Sequence, residues 1–363
     1  MSRDILAEEQ LKLELIRVLS RFFLGQIENL VRDQTGAFFP VEKIERLELG
    51  RRLGRRKELQ LATITVVDSL QNQEFNLDLA FKFHTDPEIA IKEGNGAIWL
   101  GNLLKNNFKV QTPQLLYFSD DNSLLIYEGL KEPREFFDSE LDDPQKLFLA
   151  GMALPYIHGI FKRKVFVDRY LHLISSVVDG LKIVSADKIE LYSLFKPELR
   201  RIGLSDSGAS CFGDYHPGNI MFQEVDVISS NSGDLKIDKT KIYLIDPAFV
   251  DREGNIDRAE DIGTFFSKFA YNDFYLSQAF DKTLSEFELL RKGYDFTIAQ
   301  NGISLNDYYP EGTTFDFHIA LGILIDTLFK IRSTGITSYQ DRIETSLKAV
   351  KYILKNHPFE SID

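Results

Sequence analysis

Apolar residues recur at helical spacing near the start of the chain, with Leu11, Leu15, Val18 and Phe22 on one stripe and Leu19, Leu30 and Val31 beside it. Spacing of three and four predicts one or two amphipathic helices between Ile5 and Val31. From Lys43 the texture changes. Ile44 to Leu49 reads as a short strand, Gly50 to Lys57 as a Gly/Arg loop, and Ala62 to Val67, rich in Thr and Val, as a second strand. After a polar turn at Asn72, Leu77 to Phe83 alternates apolar and polar positions as a half-buried strand does. Glu93 to Lys105 looks helical, and Leu115 to Ser119 and Leu124 to Tyr127 look like two more strands. Beyond Gly129 helical spacing dominates, over Pro144 to Phe161, Arg169 to Val184, Glu260 to Ala270, Phe274 to Arg291 and Phe315 to Ile331. One hairpin interrupts it, Ile220 to Val225 against Lys241 to Ile245 across a polar turn at Ser229 to Gly233. The pattern predicts an α+β chain. A helical arm and small antiparallel β-sheet lobe fill 1–127, a larger mainly helical lobe fills 128–363, and chemistry sits in the crevice between them.

Composition narrows the partners. The chain has 363 residues, 44% apolar, enough for a sizeable core and two lobes. A net charge of −12 argues against nucleic acid or an anionic membrane as partner. It would favour a cationic substrate, with ordinary solubility as the bland alternative. The single cysteine, Cys211, excludes an internal disulfide and fits a reducing compartment. The N-terminus is acidic where a signal peptide is apolar, and the apolar run 317–331 is interrupted by Asp326 and too short to span a bilayer. The expectation is a soluble, cytoplasmic protein.

The chemistry concentrates in Cys211-Phe212-Gly213-Asp214-Tyr215-His216-Pro217-Gly218-Asn219-Ile220. Phosphoryl transfer from ATP to a hydroxyl needs a carboxylate to orient or deprotonate that hydroxyl, and oxygen ligands for magnesium. A D-x-x-x-x-N segment supplies a carboxylate and a ligand from one short loop. Downstream, Ile242 to Ile245 forms an apolar strand ending in Asp246-Pro247, where a second metal ligand would stand.

These residues resemble the aminoglycoside phosphotransferase and choline kinase family, small-molecule relatives of the protein kinases. Phe212 to Asn219 looks like its catalytic loop H-G-D-x-H-P-G-N, and Ile245-Asp246-Pro247 like its metal-binding strand end. The I-D-P form followed by Asp261-Ile262-Gly263 is also similar to the methylthioribose kinase branch. The resemblance implies a bilobal protein-kinase-like fold. It implies Asp214 as the catalytic carboxylate, Asn219 and Asp246 as magnesium ligands, and Asp261 as an anchor of the loop backbone; Asp261 also stands where an N-cap would. Phe212 replaces the usual histidine, and an apolar ring packed there leaves the loop intact.

In the first lobe, Leu79-Ala80-Phe81-Lys82-Phe83 resembles the strand bearing the phosphate-binding lysine, the alternative being a solvated strand lysine. Glu93, six residues before Trp99-Leu100, is the implied partner of Lys82, with Glu88 as fallback. Gly50 and Gly54 suit a loop whose amides cover a triphosphate, or a solvated basic turn. Glu128 and Leu130 lie where a strand-to-linker hinge would pair adenine through backbone groups. His216 shapes the loop and Cys211 packs in the strand entering it. Glu135, Asp138, Asp142, Asp143 and Asp316 would line a cationic pocket or face solvent. The expected activity is ATP- and magnesium-dependent transfer of phosphate to a small-molecule hydroxyl. A nucleotide-binding scaffold is the first alternative and a protein kinase the second.

Overall fold

The structure, a computed structural model, describes residues 3–22, 41–53, 59–68, 74–119, 123–130, 133–159, 163–224, 240–271, 280–303, 314–334 and 339–360. The chain divides into two compact units, one of residues 1–105 and 112–133, the other of 106–111 and 134–363.

In the first unit, helix α1 (Arg3–Phe22) is followed by strands β1 (Val41–Leu53), β2 (Leu59–Asp68) and β3 (Glu74–Phe83) and by helix α2 (Pro87–Leu104). The chain contributes the short strand β4 (Val110–Gln111) to the other unit and returns with β5 (Leu115–Phe118) and β6 (Leu124–Glu128). The sheet order is β1-β2-β3-β6-β5, every pairing antiparallel. Alternation decides which side each residue takes. Leu77, Leu79 and Phe81 of β3 share one core with Leu15 and Leu19 of α1, whereas Ala80 joins Leu125, Tyr127 and Ala97 of α2 in another.

Two expectations need correction here. Gly50 is not in a loop: β1 runs on past it, with Arg52 opposite Gln60 and an irregular register between Leu49 and Arg52. Glycine inside a strand marks a bulge as readily as a turn, and periodicity alone does not separate them. Helix α2 begins at Pro87 and not at Glu93, because the Asp86 carboxylate caps it by accepting from Glu88 N at 2.9 Å. Gly94 inside it faces β5, where a Cβ would press on the Phe118 ring at 3.2 Å.

The second unit continues with β7 (Arg134–Glu135), α3 (Asp143–Ala153), α4 (Pro155–His158), α5 (Val167–Gly180), α6 (Ser185–Leu204) and β8 (Gly208–Cys211). A 3₁₀ turn (Pro217–Asn219) leads into β9 (Ile220–Glu224), β10 (Thr240–Leu244) and β11 (Asp251–Asp257). Then come α7 (Ala259–Phe269), α8 (Phe280–Gln300), α9 (Phe315–Thr334) and α10 (Tyr339–Asn356). Its sheet has the order β4-β10-β9-β7, and β8 pairs with β11 separately. The helix expected over 144–161 breaks at Leu154, where Pro155 starts a new turn. Helices α6 and α10 have no counterpart in the sequence reading, and α6 carries Pro197 inside it. The β9–β10 hairpin forms as expected, with Leu244 opposite Ile220; its turn at 229–233 lies outside the described residues, as does 272–279. Among the described residues no helix is long and apolar enough to cross a membrane.

Candidate active site

Two polar constellations bear on the expected chemistry, one in each unit and each built from that unit's own elements. In the second unit, β8 delivers the chain to Phe212, whose ring is fully buried and meets Tyr215 edge-on at 5.9 Å. Gly213 follows at φ +81, with the Phe249 carbonyl where a Cβ would stand, so no other residue fits without moving the backbone. The loop is held from α7. Asp261 accepts from Phe212 N at 2.6 Å and Gly213 N at 2.8 Å, and His158 Nε2 lies 3.1 Å from the same carboxylate. Tyr294 closes the network on His158 Nδ1 at 2.7 Å. Asp261 therefore does not cap its helix: Arg258 holds the N-cap position, and Asp261 points from the first turn into the loop. The expected anchoring is what the geometry contains. His158, Asp261 and Cys211 lie close enough to share a metal ion, yet Asp261's oxygens are already spent on two amides and an imidazole.

Asp214 projects from this braced loop, with its side chain 34% exposed. Lys268 Nζ donates to Oδ1 at 2.7 Å, and His216 Nε2 lies 3.5 Å from Oδ2. His216 Nδ1 accepts from Gly218 N at 3.0 Å, so the neutral ring carries its proton on Nε2, toward the carboxylate. Burial raises the Asp214 pKa, but His216 and Lys268 outweigh it and hold the carboxyl well below the usual carboxylate range. The group is an ionised acceptor at any physiological pH.

Asn219 is buried at the end of the 3₁₀ turn, where its Nδ2 donates to the Asp214 carbonyl at 2.9 Å. With the amide nitrogen committed there, the other end of the group, Oδ1, is turned away and offers lone pairs. Ile245 N donates to the Asn219 carbonyl at 3.0 Å, extending the β9–β10 ladder by one step. That step puts Asp246 just past Asn219 at the hairpin's open end. Asp246 is exposed at φ +58, a left-handed conformation that aspartate tolerates better than most residues. An amide oxygen and a carboxylate on adjoining strand ends are a donor set suited to a hard divalent cation.

In the first unit, Lys82 of β3 meets Glu93 of α2 at 2.9 Å, with side chains 10% and 2% exposed. His84 Nε2 lies 3.1 Å from the same Glu93 oxygen, and Tyr127 OH donates to the other at 2.8 Å. Burial pushes the Glu93 pKa up, but these partners, His84 and Lys82 foremost, bring it net below the ordinary value. Glu88, the fallback, is exposed in the first turn of α2. At the end of β6, Glu128 exchanges bonds with Gln114, its N–H donating to O at 2.9 Å and its Oε1 accepting from N at 3.1 Å. Gly129 N donates to Asp78 O at 2.7 Å, and Leu130 follows half-buried. Gly54 lies outside the described residues, and so do the side chains of 51–57.

Of the acidic residues named as pocket candidates, two are engaged elsewhere and three face solvent. Asp142 caps α3 in a reciprocal box with Gln145. Glu135, Asp138 and Asp143 are exposed. Asp316 is fully buried and accepts from Phe359 N and Glu360 N, at 3.2 and 3.1 Å. Two site residues escaped the sequence reading. Lys268 stands seven residues after Asp261, hence on the same face of α7, which is the signal that could have found it. His84 stands two residues after Lys82, one past the end of β3, and continuing the strand's period of two would have placed it beside Glu93.

No family model and no curated protein matches the chain. Among solved structures, the choline kinase LicA from Streptococcus pneumoniae is 14% identical over 91% of this chain and 98% of its own, with a TM-score of 0.44. The gentamicin complex of APH(2")-IIa is 15% identical over 93% and 98%, at 0.41. Spectinomycin phosphotransferase APH(9)-Ia, with ADP and spectinomycin bound, is 13% identical over 91% and 96%, at 0.38. Likeness at these scores is too loose to place any residue, and the reading of the site rests on its own side chains.

Proposed function

We propose that the protein is an ATP- and magnesium-dependent phosphotransferase that moves the γ-phosphate to a hydroxyl of a small molecule by direct in-line transfer. The observation that carries this reading is the loop Phe212–Asn219, which offers an ionised carboxylate at Asp214 beside oxygen donors at Asn219 and Asp246. The acceptor hydroxyl would donate to Asp214, and its oxygen would bond to the γ-phosphorus as the bond to the bridging oxygen breaks. ADP departs and the hydroxyl proton passes to Asp214. Asn219 and Asp246 would hold magnesium, which when bound neutralises charge on the phosphate oxygens. Lys82 would place a point charge on the α- and β-phosphates, oriented by Glu93. Glu128 and Leu130 would offer backbone groups to adenine, and Gly50 and Gly54 would border the phosphates. Variants in either constellation should lower turnover in the same assay.

An acceptor with cationic character suits the net charge of −12, and a cytoplasmic setting suits the one free, buried cysteine. A nucleotide-binding scaffold without turnover would find its support in Phe212. That ring is packed, and the backbone beside it is held by Asp261, so the substitution leaves the loop braced. The test is a magnesium titration of ATP turnover in the presence of a small-metabolite extract. Asn219→Ala and Asp246→Asn should each shift the activation curve to higher magnesium and lower its plateau. Superimposable curves for wild type and both variants would remove the proposed metal site.

A further inference from the structure

Lys268 bonds to one carboxylate, Asp214, and its charge acts on a second, Asp326. Its Nζ donates to Asp214 Oδ1 at 2.7 Å. Helix α9 runs so close to α7 that a Cβ on Gly322 would collide with Ser267, the residue before Lys268. Asp326 follows Gly322 by four residues, on the same face of α9. It is 9% exposed, and its Oδ2 is fully buried with no hydrogen-bond partner among the described residues. A buried carboxylate oxygen without a donor is rare and costly in folded proteins.

Several charges and dipoles act on Asp326. Burial raises its pKa to about 6, and Asp214 adds to the rise, while Lys268, Lys330 and Ser267 oppose it. Lys330 is seated over the Tyr271 ring, 3.8 Å from its centroid. Lys268 is 29% exposed on a flexible four-carbon stem, at the C-terminal end of its helix.

We propose that Lys268 exchanges between Asp214 and Asp326, and that its move to Asp326 Oδ2 uncovers Asp214 Oδ1 for the acceptor hydroxyl. The inference rests on the proposed phosphotransferase reading. Lys268 and Asp326 are positioning residues in it, and Asp214 remains the group that touches substrate. Without the second carboxylate, each acceptor that docks would leave an ammonium ion stranded beside the site. With it, the charge stays paired throughout. The hydroxyl proton goes to Asp214 during transfer.

The experiment uses the full chain with magnesium and ATP, with water as the acceptor, read as inorganic phosphate released. Asp326→Asn should lower the hydrolysis rate at least about tenfold with the KM for ATP unchanged, because Lys268 then stays on Asp214. In a Lys268→Met background the same Asp326→Asn change should alter the rate by less than about twofold, since no ammonium remains to be moved. Equal losses in both backgrounds would make Asp326 a packing residue and overturn the proposal, as would an Asp326→Asn rate within twofold of wild type. Asp214→Asn separates the two levels: hydrolysis unchanged by it defeats the phosphotransferase reading itself. A crystal structure of Asp214→Ala provides a readout independent of activity. Lys268 Nζ within hydrogen-bond distance of Asp326 Oδ2 supports the exchange, and Nζ directed into solvent contradicts it.

Discussion

The Lys82–Glu93 pair and the Lys268–Asp214 pair are both lysine–carboxylate bonds of ordinary length, at 2.9 and 2.7 Å, in opposite settings. Glu93 is 2% exposed and also engages His84 and Tyr127, so its capacity is filled from inside the protein. Asp214 is 34% exposed, and the lysine on it is 29% exposed. A closed pair fixes a charge in place, and an open pair can be displaced by a ligand. In the proposed reaction the first task is holding a phosphate-binding cation still, and the second is exchanging protons with a substrate. Burial assigns the tasks more clearly than residue type does.

The comparison breaks first at Asp214. Asp214→Ala should reduce ATP-dependent turnover by roughly 10²- to 10⁴-fold, the range for removing a general base. The fold should lose no more than about 1 kcal/mol, because half-exposed ion pairs contribute little. Glu93→Ala should do the reverse in urea unfolding of the first unit. Breaking a buried pair from one side costs on the order of 3–5 kcal/mol, since the Lys82 ammonium is left without its partner. Equal stability losses in the two variants would erase the distinction. Tyr127→Phe removes only the donor to Glu93 Oε1 and should cost about 1–2 kcal/mol, with a small rise in the KM for ATP.

A further test concerns a carboxyl in neither pair. Burial and the neighbouring Glu360 raise Asp316 from 3.8 to about 8. Between those values the folded state binds more protons than the unfolded one, so stability falls as pH rises from about 4 to about 8. Asp316→Asn keeps an oxygen for only one of the two amides, Phe359 N on Oδ1 or Glu360 N on Oδ2, but it removes the titrating group and should flatten that slope. An unaltered slope in the variant would place the pH dependence elsewhere.

The candidate site was legible where it is local: Asp214, Asn219 and Asp246 sit in short motifs next to a hairpin whose apolar pattern is plain. The β3 and β6 strands were legible for the same reason, through alternation. What escaped was set by tertiary contact. Helix α6 hides behind Pro197, and α10 near the chain's end has no motif to draw attention to it. The strand through Gly50 carries a glycine that reads as a turn until its partner at Leu61 is known. Lys268 joins Asp214 across 54 residues of sequence, and only its helical spacing from Asp261 hints at the meeting. Asp316 looked like a surface acid because sequence gives its neighbours in the chain, not the Phe359 and Glu360 amides that wrap onto it.

The most direct test of the central claim is transfer of label from γ-³²P-ATP to small molecules in a metabolite extract, with magnesium, comparing wild type and Asp214→Ala at saturating ATP. The account predicts a labelled small molecule with wild type, little or none with Asp214→Ala, and ATP binding of similar strength in both. Undiminished transfer by Asp214→Ala, or no transfer by a wild-type protein that binds ATP with normal affinity, would contradict it.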